Sequence, residues 1–266
     1  MANLFPGSSA KLLIGVIHLR PLPGSPRWDG DFGSVVASAR LDAAAYREGG
    51  ADAVILENFG DVPFRKGSVA PVTVAAMSAA AVAVRDELRG LPLGFNVLRN
   101  DAAAGLALCA VHGGSFIRVN VHTGAMVTDQ GVVEGAAHET LRQRAALCPR
   151  AWLFADVHVK HARPLADFSI EETARDTVER GLADALIVTG VSTGKSADPS
   201  DLSRVRRACP DATIFLGSGV SVDTLEPYLK LADGFIVGTS LKRDGLVSNP
   251  VDAGRVAALR QALAVT

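Results

Sequence analysis

Short runs of aliphatic and β-branched residues alternate with longer stretches of helical spacing eight times along the chain, and this alternation constrains the fold most. Two neighbouring parallel strands need a crossover connection, and a helix is the usual one. Eight strand–helix units in about 250 residues are typical of a (β/α)8 barrel. We therefore predict an α/β fold, a (β/α)8 TIM barrel, with residues 1–266 as its single domain. A doubly wound open sheet is the structural alternative.

Capping and turn residues set the boundaries of the predicted elements. Ser169 with Glu172 three residues later is a capping box, and Asp198-Pro199 opens the next helix. Residues 122–135 carry Gly and polar residues, and we predict a loop there. The predicted strands are 12–19, 53–58, 93–98, 115–121, 151–158, 185–189, 213–216 and 234–237. The predicted helices are 33–48, 72–89, 102–112, 137–147, 170–180, 198–208, 222–229 and 250–264.

Composition excludes several classes of protein. Of the 266 residues 48% are hydrophobic but 5% are aromatic, so the core must consist mainly of Val, Ile, Leu and Ala. A net charge of −1 is unlike that of a nucleic-acid-binding protein, and we expect no nucleic-acid partner. We also expect no transmembrane segment and no secretory signal. With three scattered cysteines, a reduced cytoplasmic protein is expected.

Polar residues concentrate at the ends of the predicted strands, where a barrel enzyme has its active site. Side chains alternate along a strand, so Asp156, His158 and Lys160 are expected on one face. Charges inside an apolar barrel are costly unless paired, so they need a polar ligand or an internal salt-bridge network. The candidate catalytic residues are Asp156, Lys160, His158 and Glu57, and the candidate substrate-binding residues are His18, Asn58, Asn96, Arg118, Asn120 and Thr189.

Glycine-rich motifs end the last two predicted strands. The loops after strands seven and eight form the common phosphate site of such barrels. Glycine lets a ligand approach the backbone closely, and exposed amides favour an anion. The predicted phosphate-binding residues are Gly217, Ser218, Gly219, Gly238 and Thr239, with further charge from Lys242 or Arg243.

The loop after the sixth predicted strand contains Gly194-Lys195-Ser196, which is similar to the end of a P-loop. A full P-loop needs a glycine five residues before Gly194, and position 189 is Thr. We expect instead a loop that closes over a ligand, or a static surface loop.

A divalent metal is compatible with the strand-end residues, although no cofactor is certain. Glu57, Asp156, His158 and His18 offer carboxylate and imidazole groups, and Mg²⁺ or Mn²⁺ would suit the carboxylates. No HExxH pattern marks a zinc site. The metal ligands are therefore left unassigned.

Several motifs together resemble the BtpA/SgcQ family. They are IGVIHL at 14–19 with PLPGSP at 21–26, ENFGDVPF at 57–64, GFNVLRN at 94–100, FIRVN at 116–120, ADVHVKH at 155–161 and GSGV at 217–220. The resemblance extends over residues 11–245 and implies a ribulose-phosphate-binding-type barrel without fixing a reaction. It also implies two contexts: one branch is tied to photosystem I accumulation at the thylakoid membrane, and another lies among sugar-metabolism genes.

The leading hypothesis is an enzyme that acts on a phosphorylated sugar or nucleoside-like molecule, as a lyase, isomerase or hydrolase. Asp156 and Lys160 would transfer protons with His158 as partner, because neighbouring acids and amines shift each other's pKa. Schiff-base chemistry at Lys160 is an alternative. Glu57 is the reserve base or a metal ligand, and Arg118 with Asn120 would bind hydroxyls or a carboxylate.

Two rival functions stay open. The first is a non-enzymatic assembly or stability factor for a membrane protein complex, a photosystem I-type biogenesis factor with peripheral membrane association. The chain lacks the amphipathic basic helix that would favour it. The second is a small-molecule sensor. We also expect a homo-oligomer, because the Ala-rich helix 72–89 can pack closely, although the same face also suits packing on its own barrel.

Overall fold

A computed structural model describes residues 11–190 and 198–264, and it confirms the predicted (β/α)8 barrel. The strands are β1 (Leu12–His18), β2 (Ala53–Glu57), β3 (Leu93–Asn96), β4 (Phe116–Val119), β5 (Ala125–Thr128), β6 (Gly131–Glu134), β7 (Trp152–Val157), β8 (Ala162–Pro164), β9 (Ala185–Thr189), β10 (Thr213–Gly217) and β11 (Gly234–Val237). Eight of them are parallel and close the barrel in the order β1-β11-β10-β9-β7-β4-β3-β2.

Helices cover the outside of the barrel and match most predicted bounds within one residue. They are α1 (Phe32–Glu48), α2 (Pro71–Leu88), α3 (Ala102–His112), α4 (Ala137–Leu147), α5 (Ile170–Arg175, continued by a π turn over Asp176–Arg180), α6 (Pro199–Ala208) and α7 (Ala253–Ala264). The capping box of Ser169 and Glu172 is present, and Asp198 caps α6. Across the described ranges, no helix combines the length and apolarity needed to cross a membrane.

The predicted helix 222–229 is wrong. Two short 3₁₀ turns, Val222–Thr224 and Glu226–Tyr228, take its place. Pro227 lies inside the second turn, and proline has no N–H to donate to the preceding turn of an α-helix. The chain therefore passes from β10 to β11 without a regular helix.

The predicted loop 122–135 is also wrong, because it contains an antiparallel hairpin. β5 pairs with β6, and β8 adds to the other edge of β5. Met126 and Val133 are buried together with Val121 and Val159, whereas Val127 is exposed. This alternation is typical of a half-buried strand. The small sheet lies at the C-terminal ends of β4 and β7, beside the mouth of the barrel.

The inside of the barrel is divided into two layers along the strand direction. The lower layer, called here the apolar layer, consists of Val16, Ile55, Phe116, Phe154, Ile187, Phe215 and Ile236. Its three phenylalanines stack, with ring centroids 4.7 and 4.9 Å apart. Two residues further along each strand, on the same face, lies the mouth layer: His18, Glu57, Asn96, Arg118, Asp156, Thr189, Gly217 and Gly238.

The Ala-rich helix α2 packs on its own barrel. Ala76, Ala80, Ala81 and Val84 on this helix are buried within the outer core, while Val82 is 55% exposed. The predicted homo-oligomer stays a prediction, because the small residues already have intramolecular contacts.

Candidate active site

A buried ion pair holds one side of the mouth layer. The Arg118 guanidinium donates from Nε and Nη2 to the two carboxylate oxygens of Asp156, at 2.9 Å each. Asn120 donates from Nδ2 to Oδ2 of Asp156 at 3.0 Å. All three residues are buried. Because both oxygens of Asp156 already accept hydrogen bonds, its carboxylate orients Arg118 and Asn120.

Glu57 and His18 form the opposite side of the mouth. Asn96 donates from Nδ2 to Oε2 of Glu57 at 2.6 Å, and Nε2 of His18 lies 3.8 Å from Oε1. The His18 ring also packs on Phe59, with centroids 4.5 Å apart. A Cβ at Gly238 would lie 2.6 Å from Cε1 of His18, so only glycine leaves room for this imidazole.

The environment of His18 favours its neutral imidazole form. Burial lowers its pKa well below the usual value, and the nearby positive charges of Lys242, Lys160 and Arg118 lower it further. Among the described residues, its Nδ1 has no hydrogen-bond partner. A buried ring nitrogen without a partner is available to a ligand.

Lys160 lies between the two sides of the mouth. Its backbone N–H donates to Oγ1 of Thr189 at 3.1 Å, and its carbonyl accepts from Nη2 of Arg99 at 2.7 Å. Burial lowers the pKa of its amine, and the positive charge of Arg118 adds to this effect, while Glu57 and Asp156 oppose it. The amine is therefore closer to releasing its proton than an exposed lysine is.

Two cavities open at the mouth and share one wall. The first, of about 380 Å³, is called here the glycine lobe and is bounded by residues 217–221, Thr224 and 238–240. The second, of about 260 Å³, is called here the aromatic lobe and contains Phe59, Val62, Phe64, Leu98, Arg99 and His161. Glu57, Arg118 and Lys160 line both lobes, so these three charged side chains lie between them.

The glycine lobe has several features of an anion site. Ser218 has a φ of 93°, a conformation that non-glycine residues seldom adopt, and its buried Oγ has no hydrogen-bond partner among the described residues. Ser221, Thr224, Thr239 and Lys160 line the same cavity. The Thr224 hydroxyl already donates to the carbonyl of Gly219 at 3.1 Å, whereas the Ser218 hydroxyl can donate to an anion.

With this geometry established, comparison with known proteins identifies the relatives of the chain. The family model of the BtpA family matches residues 9–264. The chain belongs to the BtpA family. The resemblance expected from the motifs is therefore confirmed, and the motifs that carried it contain most of the mouth layer.

Three relatives of this BtpA-family chain show its range. An uncharacterised protein of Thermococcus kodakarensis is 50% identical over 245 residues, which cover 92% of each chain. The photosystem I biogenesis protein BtpA of Synechocystis is 45% identical over 255 residues, covering 95% of this chain and 88% of the relative. The sgc region protein SgcQ of Escherichia coli is 34% identical, covering 92% and 91%.

Solved structures share the fold of this BtpA-family barrel at low sequence identity. Tryptophan synthase from Mycobacterium tuberculosis is 18% identical with a TM-score of 0.62, over 96% of this chain and 93% of that one. Thiamine phosphate pyrophosphorylase from Pyrococcus furiosus is 15% identical with a TM-score of 0.57, over 96% of both chains. At this identity the likeness shows the fold alone.

The BtpA-family mouth does not bring every predicted residue together. His158 has a φ of 51°, so the alternation expected along β7 breaks there. Its Nε2 lies 3.1 Å from Oγ1 of Thr173 on α5, and it lines neither lobe. The prediction that His158 shares a face with Asp156 is therefore wrong.

Two other predicted residues also have structural contacts. Asn58 accepts from the backbone N–H of Leu98 at 2.7 Å and donates to Asp61 at 3.1 Å, so it ties the β2 and β3 loops together. Lys242 is buried and donates to Asp42 at 3.0 Å. Neither Lys242 nor Arg243, the residues expected to add charge there, lines the glycine lobe. The expected loop at 191–197 lies outside the described residues.

The prediction missed several residues that line the cavities. Arg255 on α7 lines the glycine lobe, although no strand-end signal marks it. Arg99 lines the aromatic lobe; burial lowers the pKa of its guanidinium, although Asp129 and Asp156 oppose the change. Phe59 and Phe64 lie in the ENFGDVPF motif, two and seven residues after Glu57, which could have pointed to them.

The residues proposed for a divalent metal do not fit one. Asp156 is engaged by Arg118 and Asn120, and His158 faces α5. Within residues 11–190 and 198–264, no three His, Cys, Asp or Glu side chains come together as a metal-binding group. Glu57 and His18 remain together without a further acidic ligand, so we derive no step through a metal.

Proposed function

We propose that this BtpA-family chain is an enzyme that acts on a phosphorylated small molecule by acid–base chemistry at the mouth of the barrel. One observation carries the proposal. The glycine lobe, with its hydroxyls and glycines, shares a wall with the charged groups Glu57, Arg118 and Lys160. A phosphate bound in the lobe would hold the rest of its molecule against these three side chains.

The phosphate would be recognised by the ends of β10 and β11. Gly217 and Gly238 leave the backbone accessible, and Ser218 and Thr239 offer hydroxyl donors. Anion sites at these two strand ends recur in barrels of this fold. Arg255 adds a positive charge at the rim.

Proton transfer is assigned to Glu57 and Lys160. The lowered pKa of Lys160 brings its amine nearer to the range in which it can act as acid and base. Oε1 of Glu57 lies 3.8 Å from Nε2 of His18, whose lowered pKa favours the neutral imidazole. Arg118, oriented by Asp156, would bind a hydroxyl or carboxylate of the substrate. Lyase, isomerase and hydrolase reactions all use such a set.

Thermal unfolding with a panel of sugar phosphates and their dephosphorylated counterparts tests the proposal. A ligand at about 100 times its dissociation constant adds about 2.7 kcal/mol, or several degrees in Tm at about 2–4 °C per kcal/mol. We expect shifts with phosphorylated compounds alone. Lys160→Met should lose both the shift and any turnover, while Lys230→Met, exposed before β11 at the opposite end of the barrel, should keep them.

The outcome that contradicts this function is a well-folded protein whose Tm no phosphorylated compound changes. Full turnover in Lys160→Met would remove that residue from the mechanism but leave the phosphate site in place. The two results separate the binding proposal from the catalytic one.

The second candidate function is assembly of a membrane protein complex. The observation in its favour is 45% identity to a relative named photosystem I biogenesis protein. Such a factor would dock through its surface, and its mouth would need no turnover. Co-sedimentation with membranes at physiological salt, unaffected by Lys160→Met, would favour this function over the enzymatic one.

A further inference from the structure

We infer that the aromatic lobe holds a flat unsaturated ring of the same ligand, so that the substrate is a sugar phosphate that carries a nitrogen heterocycle, as in a nucleoside monophosphate. This inference rests on the proposed function, because it assigns the phosphate to the glycine lobe. It is carried by the lining of the aromatic lobe and by two buried acceptors that belong to residues of that lining.

The lining of the lobe suits a ring. Phe59 and Phe64 are half-buried, and Val62 and Leu98 complete an apolar surface between them. Aromatic side chains favour stacked or edge-on contacts with other rings, beyond the gain from burying apolar area. The planar guanidinium of Arg99 on the same lobe can also stack on a ring. A sugar hydroxyl would gain little from these surfaces.

Two amide oxygens in the same lobe lack partners. Asn96 and Asn120 are 1% and 2% exposed, and each uses Nδ2 to bind a carboxylate of the mouth. Among the described residues, their Oδ1 atoms accept no hydrogen bond. Buried acceptors are normally satisfied, so these two call for N–H or O–H donors from a ligand. The amino and imino edges of nucleobases supply such donors.

The order of the parts then follows from the shared wall. Glu57, Arg118 and Lys160 lie between the lobes, so they would face the sugar that joins phosphate to ring. The bond between the sugar and the ring nitrogen is the bond nearest these acid–base groups. The two lobes together indicate the substrate class. The three charged residues between them indicate that the reaction takes place at the sugar.

Calorimetric titration with inorganic phosphate, ribose 5-phosphate and the 5′-monophosphates of uridine and adenosine tests the inference. We expect at least one nucleoside monophosphate to bind about tenfold or more tightly than ribose 5-phosphate, because ring stacking adds to phosphate binding. Phe64→Ala should bring this ratio towards one, and Phe64→Tyr should keep it. Phe168→Ala, at an exposed position outside both lobes, is the matched control and should change neither affinity.

The outcomes separate the two proposals. Equal binding of ribose 5-phosphate and both nucleotides would overturn the assignment of the ring while leaving the phosphate site intact. A ratio that Phe64→Ala leaves unchanged would place the ring elsewhere and would also overturn it. If neither phosphate nor any of the three phosphorylated compounds binds, the proposed function fails and the inference fails with it.

Discussion

The apolar layer and the mouth layer lie in the same barrel, and each of the seven residues of the apolar layer precedes a mouth-layer residue by two positions. In the apolar layer, Phe116, Phe154 and Phe215 stack on one another and pack with aliphatic residues. This layer contains no polar side chain. Above, the same strands present Arg118, Asp156 and, on β10, Gly217. One layer closes the barrel by burying apolar surface, and the other places charges where burial is costly.

Stability and function are separated between these two layers. Charged groups at the end of an apolar barrel persist because they pair with one another, as Arg118 pairs with Asp156. A buried ion pair gives little net stability but is costly to break. The mouth layer should therefore respond to substitution through broken pairs and lost ligand binding, and the apolar layer through lost packing alone.

Arg118→Met should have the largest effect. It leaves the Asp156 carboxylate buried without its cation, which costs about 3–5 kcal/mol of unfolding free energy. It should also abolish binding of phosphorylated ligands, because Arg118 lies in the wall between the lobes. Chemical denaturation and the thermal-shift panel measure the two effects.

The double variant Arg118→Met with Asp156→Leu distinguishes the effect of an unpaired buried charge from the loss of ligand binding. Removing both charges should restore most of the lost stability, because no unpaired ion remains, while ligand binding stays absent. If the double variant binds ligand as the wild type does, the ion pair of Arg118 and Asp156 only fills the barrel, as the apolar layer does.

His18→Gln should change the response to acid. The folded-state pKa of His18 lies below its unfolded value, so below about pH 6.5 the unfolded chain binds a proton that the folded chain does not. Stability is therefore lost as pH falls through this window, by up to about 1.4 kcal/mol per pH unit for one proton. His18→Gln should remove that part of the slope. Equal slopes in both proteins between about pH 5 and 6.5, measured by denaturation, would contradict it.

Ile187→Val should have the smallest effect. Ile187 is fully buried in the apolar layer, two residues before Thr189. Losing one methyl group there should cost about 0.5–1.5 kcal/mol and leave ligand affinity unchanged. A change in affinity comparable to that of a mouth-layer variant would show that the two layers are not separable.

The barrel and most of the mouth could be predicted from the sequence, because strand periodicity sets both. Knowing that a strand passes through Phe154 also fixes which face Asp156 occupies. The same rule failed at His158, where a left-handed backbone conformation turns the side chain to α5. Side chains alternate between the two faces only within a strand, and β7 ends at Val157, one residue before His158.

Other misses have different causes. The β5–β6 hairpin could not be predicted from the sequence, because its strands have four residues each and its turn residues are typical of loops. Arg255 comes from a helix distant in sequence, and only the tertiary fold brings it to the glycine lobe. Lys242 was expected there from its position after β11, but its amine donates to Asp42 and the residue does not line the lobe.

The contact between His18 and Gly238 lies on the seam where β1, the first strand, meets β11, the last strand of the barrel. During synthesis these two residues leave the ribosome some 220 positions apart. Until β11 has emerged and docked, the imidazole lacks its contact with Gly238 and the glycine lobe lacks the residues that follow β11. A ligand that touches both strands can therefore bind no nascent fragment that lacks β11.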